Sequence, residues 1–167
     1  SSAGSGSPAH LAGEMFKART GANLQHVPYK GGSPALLAVM ANEAQFAFET
    51  IPSAIGQTKG GKLKPLAVSS SALDCSTELP TLLEEGLSQF VVTSWAGLVA
   101  PAGTPRDVLE KLNQATQQTL ATPAVNAALV ADGAEPAGGS STEFARFLSQ
   151  EFKIWGDVVR SAQVKLD

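Results

Sequence analysis

The sequence predicts an α/β fold with a mostly parallel sheet and helices on both faces. Helix-like and strand-like patterns alternate along the chain, which is the order that such folds show. Ser or Thr stands directly before Pro four times, at residues 7–8, 33–34, 104–105 and 122–123. A hydroxyl at the N-cap followed by proline favours a helix start, so we expect a helix after each pair.

The helices after the first three pairs each have an apolar face, and Gly21 is placed to end the first one. A further helix is predicted near the C-terminus, where Ser140 and Glu143 fit a capping box. Apolar residues then recur there at steps of three and four, which is typical of a buried helix face. They are Phe144, Phe147, Leu148, Phe152, Trp155, Val158 and Val159. We interpret this aromatic stripe as a core face.

Four segments have strand-like composition: residues 24–29, 45–50, 63–70 and 90–100. The third carries Pro65, which suits a strand start or an edge. The fourth is long for one strand, and Gly97 would permit it to bend or to pass from one lobe to another.

The composition excludes several classes of function. A chain of 167 residues with 43% hydrophobic residues has enough apolar material for one domain or two small lobes. A net charge of −3 is unsuited to a phosphate backbone, so no nucleic-acid partner is expected. Cys75 is the single cysteine, and with two histidines it provides too few ligands for a structural zinc site. We expect no metal and no cofactor. We also expect no membrane insertion, since no apolar run approaches the length of about 18 residues that a membrane span needs.

Two glycine-rich loops are candidate anion sites. The first comprises residues 2–7, SAGSGS, and the second follows the strand at 24–29 with residues 29–33, YKGGS. Loops that lead into helix N-termini expose N–H groups and hydroxyls to a carboxylate. Loops at the ends of successive parallel strands lie at the same sheet edge, where open α/β sheets bind ligands. Ordinary capped loops would have the same spacing, and the sequence leaves both interpretations open.

Nucleotide and hydrolase chemistry have weaker support. Residues 4–9 match the dinucleotide pattern G-x-G-x-x-A, but no acidic residue follows between Met15 and Asn42 to bind a ribose. No G-x-S-x-G elbow is present. We interpret Ser7 as a helix cap, with His10 in the first helical turn, and His26 as an ordinary strand residue. No enzymatic activity is expected.

The motifs together resemble the Bug-type solute receptors of tripartite tricarboxylate transporters. The first loop followed by HLAGE at 10–14, and HVPYKG at 26–31, are similar to characteristic stretches of that family. GKLKPLAV at 61–68, LPTL at 79–82 with EGL at 85–87, SWAGL at 94–98 and APAGTP at 100–105 follow in the same order. The resemblance covers nearly the whole chain.

The resemblance implies a type II periplasmic-binding-protein-like fold, in which two α/β lobes enclose a small carboxylate. Residues 1–91 would form the second lobe without its start. Residues 92–167 would contain the crossover and return to complete part of the first lobe. The chain would then be a truncated form of a periplasmic receptor that delivers a dicarboxylate, a tricarboxylate, an acidic amino acid or an aromatic acid to membrane transporter subunits. The apolar face left by a missing half would favour self-association.

The ligand-binding residues that the resemblance implies lie in three loops: Ser2, Gly4, Gly6 and Ser7 in the first, Tyr29, Lys30 and Gly31 in the second, and Glu49 and Thr50 in the third. Residues 43–49, EAQFAFE, depart from the usual family pattern. Glu49 at the pocket would favour a ligand with a hydrogen-bond donor, such as an amine or amide.

Two other functions stay open from the residues alone. A two-lobed effector domain of a transcriptional regulator has the same architecture, and a helix-turn-helix segment upstream would identify it. An α/β hydrolase or nucleotide-binding enzyme would need a nucleophile–base pair or a phosphate loop, and the sequence reveals neither.

Overall fold

A computed structural model describes residues 1–71, 79–88 and 90–162. Cys75, the subject of the cysteine interpretation above, lies outside the described residues. Six helices are present in the described part of the chain: α1 (Pro8–Thr20), α2 (Gly32–Met40), α3 (Ile51–Lys59), α4 (Arg106–Leu120), α5 (Pro123–Ala131) and α6 (Ser141–Ser161).

The chain divides into two compact units. Unit 1 comprises Ser1–Ser94 with Ile154–Asp167, and unit 2 comprises Trp95–Lys153. Unit 1 contains α1, α2 and α3, and unit 2 contains α4, α5 and most of α6. The lobe extents 1–91 and 92–167 stay a prediction, because they refer to the architecture of a two-lobed receptor.

The helix starts were predicted with mixed success. Ser7 is the N-cap of α1, and its hydroxyl accepts a hydrogen bond from the His10 N–H at 3.2 Å. Thr122 is the N-cap of α5, as predicted. Ser33 and Thr104 are not caps: α2 begins earlier, at Gly32, and α4 begins later, at Arg106. Thr104 donates its hydroxyl to the Pro101 carbonyl at 2.8 Å, so it belongs to the preceding turn.

Helix α3 was not predicted. Thr50 is its N-cap and Pro52 lies within its first turn, one position later than in the Ser/Thr-Pro pairs. The Thr50 hydroxyl contacts the Ser53 hydroxyl at 2.8 Å and caps no backbone N–H. The missed helix therefore begins with the same residue types in a shifted register.

None of the four segments predicted as strands forms a regular strand in the described part of the chain. Within the described residues, β pairing is limited to two isolated parallel bridges, Ser2 with Pro28 and Val68 with Thr81. Both bridges are parallel, as the fold class requires. The segments at 24–29 and 45–50 do not pair with each other, and residues of both line a cavity of about 400 Å³.

Unit 1 has a small aromatic core. Phe90 is completely buried; its ring stacks on Phe48 with centroids 5.9 Å apart and meets the edge of Phe16 at 6.2 Å. Phe46 completes this four-phenylalanine cluster, at 6.1 Å from Phe48. Apolar residues of α1 and α2 are buried as well: Leu11, Ala12, Met15, Ala35, Leu36 and Ala38. Phe48 in this core directly precedes Glu49 of the third loop.

The aromatic stripe of α6 is not a core face in this chain. The capping box is confirmed: Ser140 and Glu143 bond reciprocally, and the bonds from Ser140 hold the pKa of the Glu143 carboxyl below its usual range. No residue of α6 is buried, although all are described, and Phe152 is 79% exposed. Phe144 and Phe147 pack edge-on against Trp95 at 5.8 and 5.2 Å. The helix was predicted correctly from the three- and four-residue spacing of its apolar residues, but too few described residues pack over the stripe to bury it.

No helix in the described part of the chain is both long enough and apolar enough to cross a membrane.

Candidate functional site

The first two glycine-rich loops lie side by side in unit 1. The Ser2 N–H donates to the Val27 carbonyl at 3.2 Å, and the Tyr29 N–H donates to the Ser2 carbonyl at 3.0 Å. Further along, the Gly31 N–H donates to the Ala3 carbonyl at 3.1 Å. This parallel pairing brings together the two loops that spacing alone placed at one sheet edge.

Most backbone donors of the first loop are already in use. The Gly4 N–H bonds the Ser2 hydroxyl at 3.2 Å, and the Gly6 N–H bonds His10 Nδ1 at 3.0 Å. The Ser7 hydroxyl donates to the Gly4 carbonyl at 2.7 Å while capping α1. The loop therefore has a fixed shape, and these groups maintain that shape instead of pointing free donors at a ligand.

Gly4 allows the two loops to approach closely. Its φ of +132° is one that other residues rarely adopt, and a Cβ there would lie 3.3 Å from the Tyr29 carbonyl oxygen. A side chain at this position would push the first loop away from the second. The glycine is thus required by both the backbone conformation and the packing.

The second loop has free polar side chains. Lys30 is exposed and Tyr29 is half-buried. Within the described residues, neither the Tyr29 hydroxyl nor the Lys30 ammonium group has a hydrogen-bond partner or an ion pair. The Gly31 N–H, in contrast, is occupied by Ala3. The donors available to a ligand on this loop therefore include the side chains of Tyr29 and Lys30, together with the Ser33 hydroxyl and the N–H groups of Gly32 and Ser33.

Glu49 brings the third loop against the start of α2. A Cβ on Gly32 would overlap the Glu49 carboxylate, so this carboxylate lies directly at the first residue of the helix. The partial positive charge of a helix N-terminus stabilises a carboxylate there. Glu49 Oε1 accepts the Thr50 N–H at 3.0 Å, whereas the buried Oε2 has no partner in the described part of the chain. One acceptor is therefore unsatisfied at this point.

A polar cluster that the sequence did not reveal supports the first loop. The Ser2 hydroxyl lies 2.6 Å from His26 Nε2, and the His26 ring stacks on His10 with centroids 3.7 Å apart and planes 9° from parallel. Burial lowers the pKa of His26, and the neighbouring His10 lowers it further. His26 was predicted to be an ordinary strand residue. Ser2 and His26 are 24 positions apart in the sequence, too far for a local spacing rule to link them.

This serine–histidine pair is arranged as a structural anchor. Ser2 is only 1% exposed, so its hydroxyl is closed to a substrate. Within the described residues no carboxylate bonds the His26 ring to orient it as a general base. The same hydroxyl also donates to the Gly4 carbonyl at 3.2 Å. The cluster therefore holds the strand end and the loop in position.

The described residues contain no group of three His, Cys, Asp or Glu side chains arranged to hold a metal ion. The site therefore comprises the paired loops, the unpartnered donors of the second loop and the Glu49 carboxylate.

A sequence model of the tripartite tricarboxylate transporter family receptor matches residues 1–164. The chain belongs to this family. BugT of Bordetella pertussis is 35% identical over 164 residues, covering 96% of this chain and 50% of BugT. The protein encoded in the clcB–clcD intergenic region of Pseudomonas knackmussii is 34% identical over 161 residues, covering 94% of each chain. This chain therefore spans about half the length of BugT. The resemblance to Bug-type receptors inferred from the motifs is confirmed.

Solved structures show the same fold. Rpa4515 of R. palustris, determined with adipate, superposes with a TM-score of 0.87 at 31% identity, covering 97% of this chain and 55% of that one. The periplasmic binding protein BugD gives a TM-score of 0.81 at 30% identity, covering 95% and 54%. MatC of Rhodopseudomonas palustris, with bound malate, gives 0.77 at 29% identity, covering 90% and 53%. The predicted fold class is confirmed as part of a type II periplasmic-binding-protein-like fold.

Proposed function

We propose that this chain provides a ligand-binding lobe of an extracytoplasmic receptor, which binds a small carboxylate and delivers it to the membrane subunits of a tripartite tricarboxylate transporter. The observation that carries the proposal is the parallel pairing of the two glycine-rich loops, in a chain that belongs to this receptor family. Two structural relatives were determined with the dicarboxylates adipate and malate. The family match gives no support to a regulator domain or to an enzyme, and the receptor carries out no chemistry.

Lys30 and Tyr29 are the groups that would bind the ligand carboxylate. Both side chains lack partners in the described part of unit 1, and Lys30 provides the positive charge. Gly4, Gly6, Ser7 and Gly31 act indirectly in this proposal, because their backbone and hydroxyl groups maintain the two loops. Ser2 acts in the same way, through His26.

Glu49 would select among carboxylates. Its Oε2 is a buried acceptor without a partner, and an unsatisfied acceptor costs about 1–3 kcal/mol. Since that oxygen is closed to solvent, the carboxylate would act on a ligand through its negative charge: it would attract an ammonium group, whereas a plain dicarboxylate would add a second negative charge beside it. The proposed ligand is therefore an amino acid with a second carboxylate. Thr50, whose hydroxyl contacts Ser53, would hold the third loop.

In the whole receptor, residues 1–91 would belong to one lobe, and residues 92–167 would contain the crossover and part of the other. BugD, which resembles this chain, is described as a periplasmic binding protein, and a periplasmic location is proposed here on that basis.

Calorimetric titration of the chain with aspartate, malate and adipate tests the proposal. We expect binding that Lys30→Ala weakens about tenfold, the effect of one charge-assisted hydrogen bond of roughly 1.5 kcal/mol. Lys64, which is also exposed, provides the matched control: Lys64→Ala should leave the affinity unchanged. Equal weakening by both substitutions, or no binding of the three acids at millimolar concentration, would contradict the proposed site.

The selectivity of Glu49 has its own test. Glu49→Gln should weaken aspartate binding more than adipate binding, because only aspartate brings an ammonium group to the carboxylate. If both affinities change by the same factor, Glu49 does not select the ligand.

A further inference from the structure

His10 connects α1 to the first loop at two points. Its backbone N–H donates to the Ser7 hydroxyl at 3.2 Å, and its ring nitrogen Nδ1 accepts the Gly6 N–H at 3.0 Å. His10 is only 8% exposed, so the bond between Gly6 and the ring is shielded from solvent. Gly6 has a φ of +77° and directly precedes the cap of α1. The ring therefore fixes the loop at the point where its backbone turns into the helix.

The bond from Gly6 requires that the His10 ring carry no hydrogen on Nδ1. A neutral imidazole has one N–H, and here it must be on Nε2, because Nδ1 is the acceptor. A protonated ring has a hydrogen on both nitrogens. Its Nδ1–H would face the Gly6 N–H, and two donors cannot bond each other. Uptake of one proton by His10 therefore breaks the bond to Gly6.

Glu14 lies on the other side of the ring. His10 Nε2 is 3.9 Å from Glu14 Oε1, one helical turn further along α1. The same carboxylate pairs with Lys17 at 2.9 Å. A neutral His10 ring bonds Gly6, whereas a charged ring loses that bond and gains the attraction of Glu14. The two protonation states of His10 thus favour different contacts.

His26 is the second histidine of this cluster. Its ring stacks on His10 with centroids 3.7 Å apart, and two positive charges at that distance repel each other. Burial lowers the pKa of His26, and the neighbouring His10 lowers it further. Both effects disfavour a proton on His26 while His10 carries one.

Other titratable groups line the same cavity as the two rings. They are Glu14 and Lys17 of α1, Glu43 after α2, and the Ser1 amino group. Glu14 raises the pKa of His26, whereas Lys17 and the amino group lower it. Because an amino group also titrates near neutral pH, a test of His10 has to leave that group unchanged.

We propose that His10 is a positioning residue of the ligand site, which holds the first loop in its binding conformation through Gly6 only while the ring is unprotonated. The inference rests on the proposed function, since the first loop pairs with the second through the Ala3 carbonyl and the Gly31 N–H. The second loop carries Lys30, the proposed partner of the ligand carboxylate. Release of Gly6 loosens this pairing, so the affinity for the ligand falls as the pH drops.

NMR of the ligand-free chain between pH 7.5 and 5.5 tests the contact itself. We expect the nitrogen-15 shifts of the His10 ring to place its hydrogen on Nε2 at pH 7.5, and the Gly6 amide signal to move with the same midpoint as the ring. In His10→Asn, the side-chain oxygen takes the place of Nδ1 and accepts the Gly6 N–H without titrating, so the Gly6 signal should stay constant. A hydrogen on Nδ1 at pH 7.5, or equal movement of the Gly6 signal in His10→Asn, would overturn the proposal.

Calorimetric titration with aspartate at pH 7.5 and 5.5 tests the effect on the ligand site. The carboxylates of aspartate stay ionised at both values, since its side chain titrates near about pH 3.9. We expect the chain to bind about fivefold more weakly at pH 5.5, the effect of one hydrogen bond. His10→Ala should show this weakening already at pH 7.5. His10→Asn should restore the affinity and bind equally at both pH values.

His26→Gln is the matched control, because His10 and His26 are the two histidines of the chain. Glutamine retains a polar group for the Ser2 hydroxyl but does not titrate, so the fall in affinity with pH should persist in this variant. A fall that disappears in His26→Gln and persists in His10→Asn would assign it to His26 and overturn the proposal. An affinity that is equal at both pH values in the unchanged chain, although Gly6 titrates with His10, would overturn it as well. If aspartate binds at neither pH, the proposed function fails, and the Gly6 signal decides whether His10 holds the loop.

Discussion

Phe90→Ala should destabilise unit 1 more than any exposed aromatic substitution. Phe90 is 0% exposed, and its ring contacts those of Phe48 and Phe16. Truncating a buried phenylalanine removes its transfer free energy and leaves a cavity, which costs about 3–5 kcal/mol. The two aromatic contacts place the expected loss in the upper half of that range, at about 4 kcal/mol. For a chain of this size, such a loss lowers the midpoint of thermal unfolding by roughly 10 °C.

Phe152 is the matched control. It is the same residue type, but 79% of it is exposed, so Phe152→Ala should change the free energy of unfolding by less than about 0.5 kcal/mol. Urea denaturation followed by far-ultraviolet circular dichroism measures both variants, with the m-value checked for constancy. A loss below about 1 kcal/mol in Phe90→Ala, or an equal loss in both variants, would refute the assignment of the four-phenylalanine cluster as the core of unit 1.

Three further predictions concern the loops. Ser7→Ala should lower the free energy of unfolding by about 1 kcal/mol, because it removes the cap of α1. Thr122→Ala should cost less, since the Thr122 hydroxyl bonds Gln118 and not the start of α5; equal losses in urea denaturation would contradict this. Gly32→Ala should lower the free energy of unfolding by about 1–3 kcal/mol, because the new methyl group would displace the Glu49 carboxylate. Combining it with Glu49→Ala should recover most of the loss, whereas additive losses would show that the two residues do not meet. Because the pKa of His26 is lowered in the folded state, the unfolded state binds its proton first. Stability should therefore fall as the pH drops below the ordinary histidine value of 6.5. Urea midpoints at pH 7.5 and 5.0 should show a smaller drop in His26→Gln than in the parent chain, and parallel drops would exclude His26 as the source.

Local rules predicted the elements whose cause is local. Ser7 and Thr122 were identified as the residues that precede α1 and α5, and Ser140 with Glu143 as a capping box, because the residue types that begin these helices stand next to each other or three residues apart. The start of α3 was missed although the same residue types are present, since Pro52 stands one position later. Thr104 was assigned wrongly because a competing carbonyl, that of Pro101, takes its hydroxyl.

The sequence predicted that the first two loops lie together, but it did not predict which of their groups are already bonded to each other. The order of motifs identified the family, and strand order brought the first two loops together. Gly4, Gly6 and Gly31 were expected to offer free N–H groups, yet internal acceptors occupy all three. Spacing shows which donors a loop contains, but only the tertiary structure shows which of them already have a partner.

The sequence by itself determined the family, the α/β class, and the helices whose caps and apolar periods lie within a few residues of one another. Only the tertiary structure decided the rest. In that structure Ser2 bonds His26, Glu49 lies against Gly32, and no residue of the apolar stripe of α6 is buried. The physical reason is that burial and pairing depend on residues distant in the chain. A helix has its apolar stripe whether or not anything packs on it, and a strand has its donors whether or not a neighbour accepts them.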